Sequence, residues 1–219
     1  MTAPVTDGHQ VRIAPGVWWL ARVLLGPIFR LVFRLRWRGA ENIPASGPTL
    51  FVANHISMWD PPMIGYALAG RRRIFFMAKQ ELFAHSLVAR TLRRGGAFPV
   101  DRGGADRTAI RTARDILARG GALLMFPEGT RFTSGKPGPA LPGAGALGLA
   151  EGIQVIPIVI SGSNRRFGPA RIIIGGPLDL SDLNTGARGE RSQMAADRMM
   201  AAIAALSGDA KADDRQEAR

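Results

Sequence analysis

Residues 54–60 read Asn-His-Ile-Ser-Met-Trp-Asp. They follow an apolar run at 49–53 that predicts a buried strand, so His55 falls at a strand end, where open α/β sheets carry their ligand sites. A turn across the five-residue interval can return Asp60 to His55. The carboxylate would accept from one ring nitrogen and fix the tautomer, leaving the other nitrogen able to take a proton from a substrate hydroxyl. This is the base half of a catalytic triad. The nucleophile half is missing: the chain has no cysteine and no G-x-S-x-G elbow. The hydroxyl to be activated would then belong to the substrate, and direct attack on an activated acyl donor fits. A plainer reading stands beside this one. Asp60 precedes Pro61-Pro62 and could simply cap a helix, and a lone histidine is commonly structural. His9, in the N-terminal tail, and His85, in a helical pattern, have no such partner and read as surface residues.

The elements that must position the pair are short. Apolar runs at 49–53, 74–78, 97–100, 122–126, 155–160 and 171–174 predict strands. Between several of them lie helical patterns. Residues 107–119 put Ile110, Ala113, Ile116 and Leu117 on one face, and residues 190–206 do the same with Met194, Met199, Ala202, Ile203 and Leu206. Strands alternating with helices predict an α/β fold, a mixed and mostly parallel central sheet flanked by helices. The chain divides into a tail at 1–15, an N-terminal amphipathic segment at 16–38, one globular domain at 39–206 and a polar, disordered tail at 207–219. With 219 residues, 46% of them apolar and 21% charged, the composition is that of one globular core with appendages. The absence of cysteine excludes disulfides, cysteine–zinc sites and a cysteine nucleophile.

The formal charge of +12 attracts anionic lipid, nucleic acid or phosphate-bearing substrates. Its placement discriminates among them. Arg12, Arg22, Arg30, Arg34, Arg36 and Arg38 share a stretch without an acid, together with Trp18, Trp19, Phe29, Phe33 and Trp37. The apolar run at 17–33 is shorter than the roughly 20 residues a spanning helix needs. It carries Arg22 and Arg30, and Gly26-Pro27 in its middle predicts a kink or two short helices. Trp and Arg beside aliphatic residues suit the headgroup boundary. The segment is therefore expected to lie on an anionic membrane surface as an interfacial anchor, making the protein peripheral or monotopic on the cytoplasmic face of the cell membrane. The alternative is a basic amphipathic helix packed on the domain's own core. A signal peptide fits less well, because no small-residue cleavage site follows.

Three further blocks follow the histidine–aspartate pair. Residues 96–102 read Gly-Ala-Phe-Pro-Val-Asp-Arg, residues 126–131 Phe-Pro-Glu-Gly-Thr-Arg, and residues 155–159 Val-Ile-Pro-Ile-Val. With N-H-x-x-x-x-D, and in this order, they resemble the four signature blocks of the glycerolipid acyltransferase family, whose best-known members are the 1-acyl-glycerol-3-phosphate acyltransferases. The resemblance covers residues 39–176. It implies His55 as general base and Asp60 as its orienting carboxylate. It implies Asn54, Arg102, Glu128, Gly129, Thr130 and Arg131 as substrate-binding residues, with Arg102 on the acceptor's phosphate and the Glu128–Arg131 turn on its glycerol hydroxyls or phosphate. Pro157 would shape the acyl-donor side or the core. The expected reaction moves a fatty acyl chain from acyl-CoA or acyl-carrier protein to the free hydroxyl of a lysophospholipid. The expected acceptor is 1-acylglycerol-3-phosphate, giving phosphatidic acid. No metal or cofactor is implied. The arginines agree with this chemistry, since planar, permanently charged donors suit phosphate, and Gly129 permits close backbone approach.

The sequence departs from the family pattern at one place. Many members carry a lysine shortly after the third block, before a glycine that opens a helix. The stretch here is Pro139-Ala140-Leu141-Pro142-Gly143, with Leu141 in that place unless Lys136 serves from the preceding loop. Other acceptors therefore stay open: a lyso-ornithine lipid, glycerol-3-phosphate or another lysophospholipid. From a different class, a non-catalytic basic module binding anionic membrane or nucleic acid would also account for the charge. No nucleic-acid module is recognisable, however, and no nucleic-acid partner is expected. The G-x-G-x-x-G match at 143–148 follows no predicted strand and has no acidic residue about 20 positions later. It reads as a small-residue helix face packed close to the sheet.

Overall fold

The structure is a computed structural model that describes residues 13–101, 106–132, 138–165 and 168–217, with 209–217 described as helix backbone only. Seven strands form one sheet: β1 (Arg36–Arg38), β2 (Thr49–Ala53), β3 (Phe75–Lys79), β4 (Ala97–Val100), β5 (Ala122–Met125), β6 (Gln154–Ser161) and β7 (Arg171–Ile174). Their order is β1-β7-β6-β2-β5-β3-β4. Every neighbouring pair is parallel except β6–β7, an antiparallel pair. The fold is thus the expected α/β type with a mixed, mostly parallel sheet.

β2 is buried along its whole length, as its unbroken apolar run requires of an interior parallel strand. Its side chains alternate between two cores. Phe51 and Ala53 face one layer built by α1 (Pro15–Leu31) and α2 (Asp60–Leu68). Leu50 and Val52 face the other, built by α4 (Arg107–Ala118), α5 (Pro142–Gly148) and α6 (Arg188–Glu217). α3 (Ser86–Arg94) sits at the β3–β4 edge.

Three expectations are corrected. Pro27 does not split the N-terminal segment, because α1 runs unbroken from Pro15 to Leu31. An internal proline costs about 3 kcal/mol, but packing holds the helix on either side of it. Gly26 lies against the Tyr66 ring, and Phe29 is fully buried between Tyr66, Phe33 and Trp59. Nor does 16–38 form one anchor. Arg34, in the left-handed region at φ 43°, turns the chain out of α1, and residues 36–38 enter the sheet as β1. Finally, α6 continues to Glu217, past the start of the tail expected at 207.

The small-residue motif at 143–148 packs as a helix face, but chiefly on α6. A Cβ at Gly145 would come 1.9 Å from the Ser192 carbonyl oxygen. Among the described residues no helix is long and apolar enough to cross a membrane.

Candidate active site

The carboxyl ends of β2 and β5 lie side by side, and their connections diverge. β2 leads to α2 on one face of the sheet, and β5 leads to α5 on the other. The crevice this opens is where parallel sheets bind ligands. His55 leaves β2 into it.

His55 Nδ1 lies 2.8 Å from Asp60 Oδ2. The same oxygen accepts the backbone N–H groups of Ile56 and Ser57, each at 2.7 Å. Oδ1 accepts from the Ser163 hydroxyl. Asp60 is 0% exposed, and the hydrogen bonds from Ile56, Ser57 and Ser163 make its buried carboxylate oxygens acceptors. An acceptor-only Asp60 puts the imidazole proton on Nδ1, and Nε2 remains as a base. The capping alternative for Asp60 fails. The residue before α2 is Trp59, and the Asp60 carboxylate reaches back to the His55 turn instead of forward into the helix.

The ring plane is set by Phe126, which stacks on His55 at 4.1 Å between centroids and 19° between planes. The backbone of His55 is clasped as well. Its N–H donates to the Glu128 carboxylate and its carbonyl accepts from Phe132 N–H at 2.9 Å. Glu128 is 4% exposed, and its Oε2 has no hydrogen-bond partner among the described residues. Burial pushes its carboxyl up to about 7; the negative Asp60 adds to this and the His55 N–H opposes it. Gly129 makes the turn that follows. Its φ is +67°, its N–H donates to the Phe126 carbonyl, and a Cβ there would come 2.4 Å from Leu141 Cδ1.

Beside His55 is a mostly apolar pocket of about 410 Å³. Leu25 and Phe29 of α1 line it, as do Tyr66 of α2, Phe76 of β3, and Phe126. Arg22, Lys79 and Arg131 are its cationic lining residues, and the Arg22 guanidinium lies over the Tyr66 ring. The N-terminal helix therefore forms a wall of the site. Among the described residues no group of three or more His, Asp or Glu is placed to hold a metal ion.

The expected site residues divide by position. His55, Asp60, Glu128 and Gly129 come together, and Arg131 is exposed on the pocket lining. Thr130 is exposed in the same turn. Asn54 has a task other than the substrate contact expected of it. Its Nδ2 donates to the Ile160 carbonyl at 2.9 Å and its Oδ1 accepts from Ile160 N–H at 2.8 Å, so the buried amide locks β2 to β6 just before His55. Pro157 is buried in β6, where its carbonyl accepts from Gly175 N–H. Arg102 and Lys136 lie outside the described residues. Sequence reasoning missed Ser163, Phe126 as the stacking ring, and the α1 wall. Of these, only Phe126 had a signal, as the first residue of the third block.

The decisive comparison is with families. A family model described as Acyltransferase matches residues 34–161, which contain all four blocks. The chain belongs to the Acyltransferase family. Within it, the chain is 35% identical over 194 residues to the lyso-ornithine lipid O-acyltransferase of Pseudomonas aeruginosa, covering 87% of this chain and 70% of that protein. It is 29% identical over 154 residues to the 1-acyl-sn-glycerol-3-phosphate acyltransferase of Streptococcus pneumoniae, covering 67% of this chain and 56% of that one. The chain spans about half the length of this relative and of the plant chloroplast relatives it also matches. The crystal structure of the 1-acyl-sn-glycerophosphate acyltransferase PlsC from Thermotoga maritima shares the fold, with a TM-score of 0.66 at 24% identity over 88% of this chain and 78% of that one.

Proposed function

We propose that this family member is an O-acyltransferase that moves a fatty acyl chain from an acyl thioester to the free hydroxyl of a lysolipid. One observation carries the reading: an imidazole tied at Nδ1 to a buried carboxylate lines an apolar pocket. His55 Nε2 takes the proton of the acceptor hydroxyl as the oxygen attacks the thioester carbonyl. The tetrahedral oxyanion collapses, the C–S bond breaks, and the imidazolium returns its proton to the leaving thiolate. The new ester and a free thiol are the products. Asp60 stabilises the imidazolium between the two transfers. The pocket, walled by α1 and α2, takes an acyl chain, and Arg131 together with Arg102 takes the anionic headgroup. Acyl-CoA or acyl-carrier protein is the donor, and no cofactor takes part.

The acceptor we propose first is 1-acylglycerol-3-phosphate, because several relatives of that name match this chain. A lyso-ornithine lipid is favoured by a separate observation, the 35% identity across most of the chain to an enzyme of that name. Leu141, packed over the Gly129 turn where many members carry a lysine, also favours it, because one phosphate-seeking cation is replaced there.

The outer face of α1 supports an interfacial location. Trp19, Leu20, Val23, Leu24 and Leu31 are exposed there with Arg30. We place this face on the anionic cytoplasmic surface of the cell membrane, where aromatic, aliphatic and arginine side chains partition together.

Thiol release from an acyl thioester, with each lysolipid added in turn and the product weighed by mass spectrometry, tests the reading. Release that depends on one acceptor, with a diacylated product, is expected. No release with any lysolipid would end it.

A further inference from the structure

Between β3 and β4 the chain leaves the sheet as a 3-10 helix, Gln80–Phe83, followed by α3, Ser86–Arg94. Only Ala89 of α3 is buried. Three aliphatic side chains face outward within this short segment: Leu82 at 41% exposure, Leu87 at 74% and Val88 at 45%. Clustered exposed aliphatics mark a surface that meets something apolar.

The segment is fixed beside α1. Ala14 N–H donates to the Arg94 carbonyl at 2.8 Å, and Trp18 Nε1 donates to the Gly95 carbonyl at 3.1 Å. It also borders the pocket. Leu82 lines the pocket on this side and Met58, 66% exposed, lines it from the His55 turn. Both side chains touch the pocket and solvent, so the pocket reaches the surface across an apolar rim.

Charge identifies what meets this surface. α3 carries Arg90, Arg93 and Arg94 and no acid, and the acid of the preceding turn, Glu81, pairs with Lys79 at 2.8 Å. Arg90 and Arg94 are exposed and share the face of Leu87, three and seven residues along the helix. Aliphatic side chains with arginines one and two turns behind suit the boundary between acyl chains and anionic headgroups.

We propose that the Gln80–Arg94 segment is a second lipid-inserting element, which sinks Leu82, Leu87 and Val88 into an anionic bilayer while Arg90 and Arg94 hold headgroup phosphates, so that the Met58–Leu82 rim opens into the membrane. This rests on the interfacial reading of α1. With both elements inserted, an acyl chain enters the pocket sideways from the bilayer without crossing water.

The chain has no cysteine, so one introduced cysteine carries the only label. Full-length Leu87→Cys, Leu24→Cys and Glu151→Cys proteins are each labelled with an environment-sensitive fluorophore. They are mixed with phosphatidylcholine vesicles with or without phosphatidylglycerol. Leu24 reports α1, and Glu151, exposed just before β6 at the opposite end of the parallel strands from His55, is the control. The expected result is a several-fold emission gain with a blue shift at positions 87 and 24, larger with phosphatidylglycerol and quenched by spin-labelled acyl chains, with no change at 151. A response at 24 but not at 87 overturns the proposal and leaves the α1 reading standing. No response at either overturns both. A signal at 87 that rises with protein concentration without vesicles, or with acyl-carrier protein alone, would assign the surface to a second copy or to the carrier and overturn the lipid reading. Leu87→Asp should lower turnover of vesicle-borne acceptor several-fold while leaving turnover of a detergent-dispersed acceptor unchanged. Equal loss in both would count against insertion.

Discussion

Ser163 donates its hydroxyl hydrogen to Asp60 Oδ1, the oxygen opposite the one that holds His55. The carboxylate is thereby fixed from both sides, with Ile56 and Ser57 N–H groups on Oδ2 and Ser163 on Oδ1. Neither residue has solvent to replace a lost partner. A hydrogen bond to a charged group is worth about 1.5–3 kcal/mol, so Ser163→Ala should lower kcat by at least roughly tenfold with little change in KM. Ser163→Thr, which restores the hydroxyl, should recover kcat, as steady-state thiol release would show. A folded Ser163→Ala protein that keeps the wild-type kcat would remove Ser163 from the relay.

His55→Ala removes the base itself. General-base catalysis contributes roughly 10²–10⁴-fold, and a loss of that size in kcat, with lysolipid affinity retained, is expected. Asp60→Asn should fall in the same range, because an amide cannot accept from Nδ1–H, Ile56 N–H, Ser57 N–H and Ser163 as the carboxylate does. Steady-state thiol release with matched circular dichroism spectra checks both variants. Normal turnover by folded His55→Ala protein would end the proposed mechanism.

The His55–Asp60 pair was legible because both members lie in one turn, so spacing alone brought them together. Ser163 was not, because it arrives from 103 residues away and belongs to no motif. The fold class was legible from the buried runs of β2, β5 and β6, which are apolar on both faces. β1 was hidden for the opposite reason. Its Arg-Trp-Arg sequence is exposed and carries no burial pattern, and it becomes a strand only by pairing with β7. Pro27 misled because a local rule met a tertiary contact: Gly26 and Phe29 hold the helix on both sides of it. Asn54 drew attention through its motif, but its partner, Ile160, lies 106 residues away and decided its task.

Ala21, on the pocket side of α1, tests what the pocket holds. A tryptophan there would fill space that the proposed acyl chain uses. Ala21→Trp should lower kcat/KM for long saturated acyl thioesters by roughly tenfold or more, in line with about 1–3 kcal/mol per displaced methylene. Short-chain thioesters should be used as well as by the wild type. Competition assays across a ladder of chain lengths measure the shift. A uniform loss at all lengths would mean that the acyl chain lies elsewhere.

Glu128 links the site to stability. Its carboxyl loses a proton near 4.5 in the unfolded chain but only near 7 when buried in the folded one. Between those values the folded state holds more protons, so unfolding free energy falls as pH rises and the loss is complete above about 7. A shift of this size corresponds to about 3 kcal/mol. Glu128→Gln keeps an acceptor for His55 N–H and does not titrate. The variant and the wild type should therefore be about equally stable at pH near 4.5, with the variant the more stable by about 3 kcal/mol above neutrality. Urea unfolding across that range gives the difference directly, since titrations common to both proteins cancel. A gap that stays constant with pH would mean that Glu128 ionises alike in both states. The burial that raises its pKa would then not be felt by the carboxyl behind the catalytic turn.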